Sequence, residues 1–264
     1  LLVTILAAAA VTWSLAEQIF DTNFYVLWEA TALLKGDRFY RDFYQSGWPL
    51  LSLVSAAVQW VVGYRLIGEF AMQAAFMAAS IVIGFHLAVR FSRSLLASLC
   101  TTLIGVLLLL STASFQFPKL FFYAVAIWTA WRYLERPSLP RGVTLAAINA
   151  IAFLYRHDHG VYIGAAAVLA FALARIAHPS TRRWRSSLIE VAAYSATVAV
   201  ILAPWAAAVQ ANEGLIDYAR TRAAWGSTWS AESPFRKLLR LNPQHLIAGS
   251  GLSRDGSIEW LLQV

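Results

Sequence analysis

Charge is what this chain has least of. Only 13% of its 264 residues are Asp, Glu, Lys or Arg, against 59% hydrophobic, and the mean hydropathy is +0.59. A soluble domain carries roughly 25% charged residues. Strict apolar–polar alternation is missing as well. Membrane barrels alternate over about ten positions per strand, whereas a stretch such as 161–174 is apolar throughout. Cysteine is down to one residue, Cys100, so there is neither an intrachain disulfide nor a thiolate metal site. Cys100 lies inside an apolar run and is expected to pack in the core. No internal repeat is visible, and no basic cluster interleaves with aromatics, which argues against a nucleic-acid partner. What is left is an all-α, polytopic transmembrane helical bundle. The net charge of +7 comes mostly from arginine, as expected of loops that set topology and meet anionic lipid.

Apolar windows run over 1–18, 49–62, 66–89, 94–113, 118–134, 142–155, 160–177 and 187–209. The first has no small-residue cleavage site before Asp21 and reads as a membrane helix, not a signal peptide. Three loops are basic: Arg90 and Arg93; Arg132, Arg136 and Arg141; Arg175, Arg182, Arg183 and Arg185. Their one acid is Glu135. They alternate with loops poor in basic residues, so the positive-inside rule puts all three in the cytoplasm. The window 49–62 is short, opens on Trp48-Pro49 and has Trp60 near its end, as an interfacial helix does. Read that way, the chain has about seven spanning helices and one external loop, 19–65. The organisation expected is a transmembrane core over 1–211 and an external amphipathic or linker segment over 212–264. A start at Leu1 inside an apolar run suggests a fragment.

The external loop concentrates polarity. It carries three of the six aspartates: Asp21, Asp37 and Asp42. Ionisable residues beside lipid are the first place to look for chemistry. Asp21-Thr22-Asn23 precede a helical pattern of Phe24, Leu27, Trp28, Thr31 and Leu34, stopped by Gly36. One of the three is also a natural N-cap. Asp37 and Asp42 flank Arg38 and Arg41, a pattern that a solvated ion-paired turn also explains.

Asp21, Tyr25, Ala30, Leu33-Leu34, Gly36, Phe39-Tyr40, Asp42-Phe43 and Pro49-Leu50 together resemble the opening of the GT-C superfamily of integral-membrane glycosyltransferases. The likeness is to the dolichyl-phosphate-mannose–protein mannosyltransferase and lipid A aminoarabinose transferase type, including bacterial lipopolysaccharide-core transferases. It covers about the first 100 residues. The resemblance implies a GT-C-like bundle in the bacterial inner (plasma) membrane, moving a sugar from a polyprenyl-phosphate donor to a glycan, lipid or protein acceptor. It implies Asp21 as the general base, and Tyr25 and Asp42 as substrate-binding positions. The family often has a second acid beside the first; here that position is Thr22.

A second polar group, Tyr155-Arg156-His157-Asp158-His159-Gly160, interrupts two apolar windows on the same external side. Three readings compete: a solvated turn, anion recognition by Arg156 with a histidine, and a divalent site on His157, Asp158 and His159. Phosphate binding ranks above metal, because His-x-His on a turn is a weak ligand signal. No cofactor is expected, with a divalent metal left open. Lys119, in the external loop 114–119, is either a donor-phosphate contact or an interfacial anchor. Arg65 and Glu69 are one turn apart and expected to pair. His86 is expected to be a satisfied core residue, and Trp131, Trp184 and Trp205 interface anchors. A flippase or transporter of a lipid-linked intermediate and a non-catalytic scaffold remain as alternatives. Transporters tend to carry repeats and midplane charges, whereas here the charges gather at one face.

Overall fold

The computed structural model describes residues 21–43, 47–111, 117–177 and 184–222. The first apolar window, Ser114 to Gln116, Arg182 and Arg183, and the tail from residue 223 lie outside the described residues. Among the described residues the regular structure is helical, joined by turns and short loops, with one isolated bridge between Phe39 and Phe43. Its elements are α1 (Asp21–Leu34), α2 (Pro49–Val62), α3 (Leu66–Ser92), α4 (Leu95–Ser111), α5 (Phe117–Glu135), α6 (Leu139–Tyr155), α7 (His157–Ala177) and α8 (Trp184–Asn212). Residues 215–222 are helical too.

Among the described residues, α3, α7 and α8 are long and apolar enough to cross a membrane, at 27, 21 and 29 residues. At 1.5 Å per residue each reaches or exceeds about 30 Å of hydrocarbon. This is a helical membrane protein. The 14 residues of α2 rise only about 21 Å.

Local chemistry sets the helix ends. Pro49 opens α2, where a missing N–H costs nothing. Gly63 closes it in the left-handed conformation at φ 80°, donating its N–H to Gln59 O. Pro140 lies in the first turn of α6 behind an extended Ser138. The backbone of Asp21, Thr22 and Asn23 is helical in α1.

Small residues set the packing. Ala146, Ala150 and Ala152 of α6 are fully buried, and α7 turns Ile163, Ala167, Ala170 and Ala174 inward. With lipid as apolar as the protein, close backbone approach and dispersion hold such helices together. Phe122, Ala126, Ala152, Tyr155 and Ile163 form one core cluster, and Leu50, Leu51 and Val54 of α2 pack on it. Polarity is also turned inward. On α1, Phe24 and Trp28 are half exposed while Glu29 is fully buried. Ser52, Ser55 and Gln59 lie on one face of α2 and are fully buried. Ser52 Oγ donates to Glu29, Ser55 Oγ to Glu69, and Gln59 Nε2 to Glu69 at 2.7 Å. Glu69 therefore pairs across helices with α2 and not with Arg65, whose backbone N–H and carbonyl bind the Gln59 amide.

Two other expectations of core packing fail. Cys100 is exposed on α4 instead of packed in a core. His86 is exposed as well.

The ends of the bundle differ in charge. Arg90 binds Glu135 at 2.5 Å, joining the first basic loop to the second. Tyr133 donates to buried Glu190 at 2.5 Å, drawing the start of α8 to the same end.

Candidate functional site

The opposite end is built around a one-residue break. Arg156 is extended (φ −163°, ψ 124°) and its N–H closes α6 on Ala152 O at 2.8 Å. Its carbonyl accepts from His159 N at 3.1 Å, starting α7. So sharp a reversal needs room for α7 against α6, and Gly160 supplies it: a Cβ there would lie 2.3 Å from Phe153 Cβ.

The four polar residues of this turn separate into two groups. Asp158 Oδ1 binds Arg156 Nε at 3.0 Å and faces His159 Nδ1 at 3.3 Å. It also accepts the His159 N–H at 2.9 Å, a favourable place for a carboxylate at a helix start. His159 is buried, and Tyr123 of α5 approaches it with its hydroxyl 3.4 Å from Nδ1. Lys119, half buried one turn earlier on α5, acts electrostatically on the same histidine. Here Arg156, Lys119 and Tyr123 surround an Asp–His pair.

His157 turns the other way. Its ring stacks on Phe153, centroids 4.3 Å apart. Nδ1 sits 2.9 Å from Phe153 O, a group that only accepts, so Nδ1 carries the proton. Nε2 then accepts from Tyr218 O–H at 2.5 Å. Both ring nitrogens are engaged away from Asp158. Among the described residues no group of three or more His, Cys, Asp or Glu converges, so the alternative of a divalent site on His157, Asp158 and His159, ranked below phosphate binding, finds no support in their geometry.

The first loop docks on this turn. Gly47 O accepts the His157 N–H at 3.3 Å. Gly47 has φ +96°, a conformation other residues rarely adopt, and an added Cβ would lie 3.5 Å from the His157 ring. Arg156 lies over the Trp48 ring at 5.9 Å, and Trp48 in turn meets Tyr25 at 6.3 Å. Tyr40, held at φ 64°, accepts the Trp205 indole N–H at 2.8 Å and packs on Tyr218 at 5.8 Å. Burial, then the neighbouring Tyr218, raises the Tyr40 hydroxyl above its ordinary range. Arg222 stacks on Tyr218 at 4.9 Å. Trp205, half buried, thus links the loop to the segment 215–222.

Two sequence candidates remain, Asp42 and Asp21. Asp42 closes its own turn, pairing with Arg41 at 3.3 Å and accepting Arg38 N–H at 2.9 Å. Asp21 lies one helical turn before Tyr25; its side chain lies outside the described residues. The Ser114-Phe115-Gln116 part of the Lys119 loop lies outside them too.

No family model, curated protein or solved structure matches this chain.

Several participants were not singled out as site residues from sequence. Tyr40, Trp205 and Tyr218 look like any interfacial aromatics until the fold stacks them. Glu29 and Glu69 did have a signal. Ser52, Ser55 and Gln59 recur at helical spacing within an apolar window, which marks a polar stripe needing buried partners.

Proposed function

We propose that this protein is a GT-C-like membrane glycosyltransferase that moves a sugar from a polyprenyl-phosphate to an acceptor hydroxyl at the extracytoplasmic face. The reading takes about seven spans, with the apolar window 1–18 as the first and 19–65 as one external loop. The observation that carries it is the docking of Gly47-Trp48 on Arg156-His157. The loop bearing the glycosyltransferase-like motif contacts the Arg156 turn, though the two lie more than a hundred positions apart.

Arg156 and Lys119 supply positive charge beside Tyr123, where a departing lipid phosphate needs it. In the transfer, the acceptor oxygen bonds to the anomeric carbon as the anomeric carbon–phosphate oxygen bond breaks. The acceptor proton passes to the Asp21 carboxylate, and the leaving phosphate takes the bond pair toward Arg156. Trp48 and Tyr25 offer flat apolar faces to the sugar or the first isoprene units.

The test is sugar transfer from polyprenyl-phosphate donors by the purified chain in lipid. Asp21→Asn is expected to lose about 10²-fold or more in rate, and Arg156→Ala to lose turnover while remaining folded. Wild-type rates in both variants would end the proposal.

A further inference from the structure

At the end of the bundle remote from Arg156, a cavity of about 600 Å³ opens between α3, α5 and the start of α6. Arg90, Arg132, Arg136 and Arg141 line it, with His86, Trp128 and a single acid, Glu135. Along α6 the rise from residue 141 to residue 156 is about 22 Å. This is therefore a separate place from the Arg156 turn described above, and nothing said of it depends on the glycosyltransferase reading.

Loop arginines that only set topology need no common direction. These converge, and their wiring leaves charge unspent. Arg90 consumes the one carboxylate, binding Glu135 at 2.5 Å, and the Trp131 indole holds the same oxygen at 3.0 Å. Arg141 donates from Nη1 to the carbonyls of Arg132 at 2.5 Å and Arg136 at 3.1 Å. That contact satisfies carbonyls at the end of α5 and fixes the guanidinium in space, but cancels none of its charge. Arg132 is held over Trp128 at 5.1 Å. Among the described residues, Arg132, Arg136 and Arg141 form no direct ion pair with a carboxylate, although the Arg141 charge also acts on Glu135. A concave site with three such guanidiniums, two of them pre-oriented, is built for a multiply charged oxyanion. Its volume lies within the range of small-ligand sites. Phe91, Leu95, Leu96 and Leu139, near the same end, are exposed apolar residues that would meet acyl chains.

We propose that this cavity binds a phosphate-bearing anion, with Arg132, Arg136 and Arg141 as its ligands and Trp128 as an aromatic wall. A lipid headgroup and a soluble diphosphate present the same chemistry, and the experiment separates them.

The full chain is placed in phosphatidylcholine nanodiscs. Inorganic diphosphate is titrated by calorimetry at low and high salt. In parallel, retention of phosphatidylglycerol is measured after delipidation. Saturable binding at one site per chain, weakened by salt, is expected for at least one probe. Lipid retained without diphosphate binding identifies a headgroup site; diphosphate bound without lipid retention identifies a soluble anion; competition between them identifies a site open to both. Arg132→Gln with Arg136→Gln should weaken the bound probe by about tenfold or more. Arg136→Gln alone, at an exposed side chain, repeats the test if the double variant fails to fold. Arg185→Gln, a charge removed outside the cavity, should leave binding unchanged. No saturable binding of either probe, or equal weakening by Arg185→Gln, overturns the proposal.

Discussion

Replacing Gly160 with alanine puts a methyl group where Phe153 already is. The added Cβ would lie 2.3 Å from Phe153 Cβ and 2.6 Å from its Cα. Carbon atoms rest at about 3.5–4.0 Å, so α6 and α7 must part by roughly 1 Å. Rotating a side chain cannot relieve this, since the clash includes backbone. Overpacking of this kind costs about 1–3 kcal/mol, and a kcal/mol moves a melting temperature by about 2–4 °C in domains of 150–250 residues. The separation also falls in the turn that carries His157, Asp158 and His159, so the Gly47–His157 bond and the Arg156–Trp48 contact should loosen with it. The assay is thermal unfolding of the detergent-solubilised chain, with sugar transfer measured below the transition. Gly84→Ala is the control, because nothing lies within 4 Å of its added Cβ; it should be neutral or stabilising by up to about 1 kcal/mol through helix propensity. Equal melting of Gly160→Ala and wild type would refute the packing argument.

Tyr40 makes stability pH-dependent on the alkaline side. Its hydroxyl is raised in the fold, so its contribution is intact below the unfolded value of about 10 and is lost as pH climbs through the folded one. Tyr40→Phe should flatten that limb of a pH–stability profile, and an unchanged profile would count against burial of the Tyr40 hydroxyl beside Tyr218. Ser55→Ala removes a donor from buried Glu69 and should cost about 1–3 kcal/mol in equilibrium unfolding; no loss would mean that water or Gln59 replaces it. Tyr218→Phe removes the hydroxyl that His157 Nε2 accepts from. Its histidine NMR resonances should shift for His157 and stay put for His159, and the reverse pattern would contradict the two-way split of the turn.

Much of the helical layout could be read from the chain before folding. The window 49–62 matches α2 residue for residue, and 66–89 falls inside α3. Proline and glycine at the boundaries act within a turn of themselves, which is why local inspection finds them. Facing is harder. The apolar stripe of α1 could be marked by spacing, but in lipid that stripe turns outward and Glu29 turns in. The Arg156 turn could be marked as polar, yet spacing suggested one cluster where the fold makes two.

Hydropathy, run length and breaker residues, all intrinsic to the chain, determined that this is a helical membrane protein with charge gathered at helix ends. Only the tertiary structure decided which charges meet. The partners of Glu69 come from another helix, His157 and His159 diverge because positions two apart on a helix point about 200° apart, and three arginines face one cavity because α3, α5 and α6 pack at a particular distance. Such meetings depend on helix packing angles and separations, which many distant residues set jointly and no short stretch encodes.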